Sequence, residues 1–239
     1  MLATFALAVE DPPPFDRGRF IVFESGQPVA TERFAYTYAG DSLLIEVVHS
    51  RLMRDADGNV SEFKKSAGLM VDRLDHGLIR YLSNQHENGA LTVVGTQMSR
   101  GDTIITVFRE DSTGGGAEAL SLPPGRVYVV DPLMFTMFDV ICRSLGRQTF
   151  ESRPISLITL GVPPRAVEVM VTRTPRDTLV WGGKPVVTTR LTFQEELTSF
   201  RAWVNRDGQM LRFEANDGQL RVEREPPLPA PPKKRAASR

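Results

Sequence analysis

The chain has 239 residues, 41% of them hydrophobic and 24% charged, the make-up of a globular protein with a sizeable core. Twenty-nine basic residues balance twenty-nine acidic ones, so the broad positive footprint of a nucleic-acid binder is missing. A single cysteine excludes an intramolecular disulfide and a multi-thiolate metal centre, and no apolar run reaches the roughly 18 residues of a membrane-spanning helix.

Residues 1–9 are apolar and give way at once to Glu10-Asp11-Pro12-Pro13-Pro14. Ala6-Leu7-Ala8 has the small-x-small form of a signal-peptidase site, so residues 1–14 read as the remnant of an export signal and a proline-rich lead-in. That reading places the protein in the periplasm or another exported compartment; a frayed N-terminus of a cytosolic chain is the alternative.

From residue 15 to residue 225 the pattern predicts one β-rich domain. Phe20 and Val22 alternate with Ile21 and Phe23, and Phe34, Tyr36 and Tyr38 share one face of the next strand. Ser25-Gly26, Gly40-Asp41, Asp57-Gly58 and Asn88-Gly89 are hairpin turns, and strands are expected near 60–72, 77–86, 90–99 and 103–110. Residues 111–125, with Gly114-Gly115-Gly116 and Pro123-Pro124-Gly125, read as a loop.

A buried strand over 127–130 leads into the one convincing helix, near 131–145. Asp131 would cap it, Pro132 would fit its first turn, and Gly146 would end it in the left-handed conformation. Leu133, Met134, Phe135, Met137, Phe138, Ile141 and Leu145 leave a polar stripe of only Thr136, Asp139 and Arg143, so the helix must be covered on several sides. A second meander follows, with turns at Gly182-Gly183, Asp207-Gly208 and Asp217-Gly218. The expected fold is all-β: a curved, mostly antiparallel sheet or half-barrel of about a dozen strands around one buried helix. Residues 226–239 are proline-rich and contain four basic residues, a solvated tail whose removal leaves 25 basic against 29 acidic groups.

Catalytic signatures are largely missing: there is no Gly-x-Ser-x-Gly elbow, phosphate-binding lysine loop or His-Glu-x-x-His helix. Asp55-Ala56-Asp57-Gly58-Asn59 opens like a calcium loop, but Val60 stands where glycine is needed and Ser66 where a bidentate glutamate belongs. Cys142 lies among apolar helix residues and reads as an inert thiol. His76 and His86, with Glu87, are a conceivable metal site if the two histidines face each other across a hairpin.

The opening hairpin, with Gly18, Phe20, Phe23, Gly26 and Phe34, and the closing one, with Phe200, Trp203, Gly208 and Phe213, resemble exported bacterial proteins of the lipoprotein-carrier (LolA/LolB-type) half-barrel group. That resemblance implies a curved sheet over an apolar concavity that carries a lipid or acylated protein without catalysis. The favoured expectation is therefore a non-enzymatic envelope protein with no cofactor or metal, holding a hydrophobic small molecule or acylated partner. Phe34, Tyr36, Tyr38 and Ile45 from the sheet, and Met134, Phe135, Phe138 and Trp203 from the helix region and second meander, are the expected cleft residues. A scaffold protein with a solid core, and a metal-dependent envelope enzyme, are the alternatives.

Overall fold

The computed structural model describes residues 13–54, 58, 60–87, 89–99, 101–123, 125–195, 198–215 and 218–227. The expected export remnant and basic tail therefore lie outside the described residues, apart from residues 13–14 and 226–227. The first half is a meander of eight strands: β1 (Asp16–Glu24), β2 (Gln27–Ala39), β3 (Ser42–Arg54), β4 (Val60–Asp72), β5 (Leu78–Glu87), β6 (Ala90–Gln97), β7 (Ile104–Asp111) and β8 (Gly114–Ser121). Next come β9 (Val127–Val130), the helix α1 (Thr136–Gly146) and β10 (Ser152–Thr159). The second meander is β11 (Arg165–Trp181), β12 (Lys184–Glu195), β13 (Thr198–Val204), β14 (Met210–Ala215) and β15 (Leu220–Arg224).

All fifteen strands form one open, unclosed sheet in the order β8-β7-β6-β5-β4-β3-β2-β1-β15-β14-β13-β12-β11-β10-β9. The two meanders join through the antiparallel pair β1/β15, with Val22 opposite Val222. The exception to antiparallel pairing is β9 with β10, and α1 is the crossover between them, as a parallel pair requires. Runs of consecutive buried residues in β9 and β10, such as Val127–Val129 and 155–158, show that this pair is covered on both faces.

The expected turns form where glycine supplies positive φ, as at Gly182 and Gly183 (58° and 76°). The expected loop at 111–125 is instead largely the strand β8. Asp111 accepts hydrogen bonds from the Thr113 amide (2.7 Å) and hydroxyl (2.6 Å), making a tight turn that returns the chain along β7.

Inward positions of β1–β4 fill the core with Phe20, Phe34, Tyr36, Ile45, Val47 and Leu69, and α1 lies in the concavity against them. Its buried side includes Met137, Val140, Ile141, Cys142 and Leu145, and the supposed polar stripe Thr136, Asp139 and Arg143 is buried too. The helix is therefore enclosed almost all round. It starts at Thr136 rather than Asp131, because the Asp131 carboxylate is drawn to side chains of the sheet and Leu133 sits at φ 68°, outside the helical region. Nor does Gly146 end it in the left-handed conformation. A Cβ there would meet Gly208 Cα at 3.1 Å, so glycine permits close approach of α1 to the β13–β14 turn.

Candidate functional site

Among the described residues, α1 packs against the inner face of the sheet with little space beside it. The void between Met137, Val140, Ile141, Leu69, Leu78 and Tyr128 measures about 10 Å³, about enough for one water molecule. Phe34, Tyr36, Ile45, Met134 and Phe135 are buried in the packed core, and the half-buried Phe138 is wedged against Phe193, Phe200 and Phe213. These residues come together as core, not as the wall of a cavity, because α1 occupies the space a guest would need. Tyr38 does not line the interior: it is 43% exposed and stacks on Phe15 at 4.2 Å. Trp203 lies in a separate cluster with Leu179 and Leu211, its indole N–H donating to Asp177 at 3.1 Å. His76 precedes β5 and His86 lies near its far end, about 30 Å away at strand rise, so the alternative His76–His86–Glu87 metal site is not formed.

Ionisable groups occupy the positions around the two ends of α1. Glu32, His49 and Lys65 are direct cross-strand neighbours on β2, β3 and β4, all buried and all facing inward. Glu32 replaces the cap expected from Asp131: it accepts hydrogen bonds from the Phe135 amide at 2.9 Å and from the Thr136 amide and hydroxyl. His49 Nδ1 lies 3.5 Å from the same carboxylate, and neither ring nitrogen has a hydrogen-bond partner among the described residues. Lys65 pairs with Asp131, which also accepts from the Tyr81 hydroxyl and, at 3.2 Å, from Ser83. Burial, then the Asp131 charge, pushes the Tyr81 phenol well up, so it stays a donor.

A second network runs along the helix from Asp139 in its first turn to Arg143 in its last. Asp139 accepts from the Tyr36 hydroxyl (2.7 Å), Arg143 Nε (2.8 Å) and the Met210 amide (2.6 Å). Arg143 and Arg224 converge on Asp16, with Arg224 at 2.7 Å. Burial opposes ionisation of Asp16, but the two guanidinium groups outweigh it and hold its carboxyl below the usual range. Arg143 also stacks over the Tyr36 ring at 4.2 Å. The Asp139–Arg143 spacing was readable as an ion pair, but its burial makes it a structural lock rather than a surface pair.

Above the Glu32 end of α1 the sheet opens on a cavity of about 380 Å³. Lys65 and Asp131 reach it from within, Arg51, Gln85 and Arg109 border it, and Phe63, Met53, Leu133 and Leu160 supply its apolar side. Leu133, 38% exposed, projects there from its left-handed backbone, a strain of about 1–3 kcal/mol that packing must sustain. Other surface hollows of similar size, beside Arg126 or between Ile21 and Leu52, lack a buried charged pair at their base.

These residues carried a sequence signal that aromatic stripes obscured. Glu32 falls in phase with Ala30, Phe34 and Tyr36; His49 with Leu43, Ile45 and Val47; Lys65 with Phe63, Ala67 and Leu69. An ionisable residue at an inward-facing position of three consecutive strands is a strong interruption of period two.

No protein-family model matches the chain, and no curated protein matches it. Among solved structures it is similar to a beta-barrel-like protein of the domain of unknown function DUF1849 from Brucella abortus, with TM-score 0.53 and 8% identity over 90% of this chain and 96% of that one. A DUF1089 family protein from Pseudomonas aeruginosa matches at TM-score 0.45 and 13% identity, over 75% of this chain and 87% of that one. The first likeness establishes a barrel-like fold; neither is a lipoprotein carrier by name.

Proposed function

We propose that this is a non-catalytic binding protein that holds the head of a small anionic amphiphile at the mouth of its curved sheet, above the N-terminal end of α1. The carrying observation is the 380 Å³ cavity, within the range of small-molecule sites, where the buried Lys65–Asp131 pair meets an apolar side made by Phe63, Met53 and Leu160. Arg51, Lys65 and Arg109 face Asp131 and Glu87 in the lining, and with Lys65 held by Asp131 and Arg51 by Glu24 the remaining single positive excess supports a carboxylate or phosphate head beside Arg109, while Leu133 and Val162 offer the chain an apolar exit. Because α1 fills the concavity, the chain of the guest lies along the rim and not inside the sheet, unlike the carrier expectation. An envelope setting belongs to this reading and rests on residues 1–14 of the sequence alone.

Native mass spectrometry of the purified protein and displacement of a dansylated fatty acid test the proposal. Met53→Glu should weaken probe binding at least about tenfold, whereas Leu74→Asp, fully at the surface of the opposite end, should leave it unchanged. A protein that carries no amphiphile and ignores the probe, or whose binding is indifferent to Met53→Glu, overturns it.

A further inference from the structure

Among the described residues Lys65 is the one lysine withdrawn from solvent, 5% exposed, whereas Lys64 and Lys184 lie on the surface. Lysine is almost never buried without a partner. Its ammonium meets the Asp131 carboxylate and, at 3.5 Å, the Pro132 carbonyl, two acceptors for three N–H donors. The pair is not sealed in the core. Both residues lie at the base of the 380 Å³ cavity, beside the apolar side made by Phe63, Leu133 and Leu160. Asp131 is fixed in turn by the Tyr81 hydroxyl and, at 3.2 Å, by Ser83. A buried ion pair often adds no net stability over well-packed apolar side chains, so stability alone gives no reason for an amine at this base.

From the amine at the cavity base, its fixed carboxylate and the apolar side above them, we infer that Lys65 captures long-chain aliphatic aldehydes as a reversible imine. The step needs no oxidant or reductant. Asp131 takes one proton from the ammonium and passes it to the carbonyl oxygen as the nitrogen bonds to the carbonyl carbon. The same carboxylate moves a second nitrogen proton to the new hydroxyl. The C–O bond then breaks, water leaves, and the nitrogen lone pair closes the C=N bond. The protonated imine carries the charge that the ammonium carried, and Asp131 ends as the carboxylate it began. No new charge is buried, so the partner that holds the ammonium holds the imine as well. An aldehyde, with one substituent on its carbonyl carbon, reaches a buried nitrogen with less crowding than a ketone. An imine at Lys64 or Lys184 stands in water and hydrolyses, while Phe63, Leu133 and Leu160 restrict water beside Lys65.

The inference shares the cavity of the ligand-binding proposal but does not depend on its anionic head. The full chain is incubated with decanal and cyanoborohydride, which reduces the imine to a stable secondary amine, and peptide mass mapping locates the decyl group. Lys65 should be labelled at least about tenfold faster than Lys64 and Lys184, because the cavity holds the aldehyde against its amine. Lys65→Arg keeps a positive charge beside Asp131 and should leave only the slow surface labelling; the wild-type map decides the point even if that variant does not fold. Labelling that is uniform over the lysines, or absent from Lys65, overturns the inference. Displacement of the dansylated fatty acid is read in parallel. A protein that binds that probe but spares Lys65 refutes the imine alone, and one that labels Lys65 but ignores the probe refutes the anionic-head proposal alone.

Discussion

Glu32 Oε2 stands 2.9 Å from the Phe135 amide, so a carboxylate 103 residues earlier in the chain closes the first turn of α1. The helix has no side-chain cap of its own at Phe135, and its free amides would otherwise be buried without acceptors. Glu32→Ala should therefore cost about 2–4 kcal/mol in urea unfolding, more than an ordinary surface cap. Glu32→Gln keeps one acceptor oxygen and should cost clearly less. Equal, near-zero losses for both variants would contradict the capping role.

Arg143 is held by Asp139 and Asp16 and shields both from each other. Arg143→Met should destabilise by about 3–5 kcal/mol, since Asp16 keeps Arg224 at 2.7 Å but the fully buried Asp139 is left with Arg224 at 3.8 Å as its nearest cation. Adding Asp139→Asn should recover part of that loss, a non-additivity that a double-mutant cycle measures directly.

His76 gives the fold a pH response. Burial, then Arg143 and Arg147, depress its pKa below 6.5, so the folded protein holds a neutral ring. The unfolded chain takes up that proton near pH 6.5, so acidification below this value favours unfolding until the lower folded pKa is passed. His76→Asn, which tolerates the native φ of 59°, should flatten the fall in stability between neutral and mildly acidic pH. Parallel stability–pH curves for wild type and variant would rule this out.

Ile141 is fully buried beside the 10 Å³ void. Ile141→Ala should cost about 2–5 kcal/mol and enlarge the void enough to admit xenon, detectable as recovery of thermal stability under xenon pressure. Wild type should show no such recovery.

Hairpins were the most legible part of the chain. Pairs such as Gly182-Gly183 and Asp207-Gly208 encode their turns locally, and alternation then assigns the inward face of each strand. β8 was hidden because three glycines carry no strand propensity; its neighbour β7, not its own composition, makes it a strand. The start of α1 was misplaced for a related reason. Asp131 is a good cap by type, but Lys65, Tyr81 and Ser83, distant in sequence, compete for its carboxylate and win. Aromatic stripes such as Phe34 and Tyr36 advertise burial and say nothing about whether a helix or a guest occupies the opposite side.

The position of β15 between β1 and β14 has a consequence for assembly. Until residues 220–224 are synthesised, the two meanders have no common seam, and the middle of the sheet is the last region to zip. Such long-range closure should make folding slow and leave the unsealed β1 flank a target for chaperones. A circular permutant that links residue 225 to residue 15 and opens the turn at 112–113 would turn that seam into a local hairpin, and it should refold faster than the native order of strands.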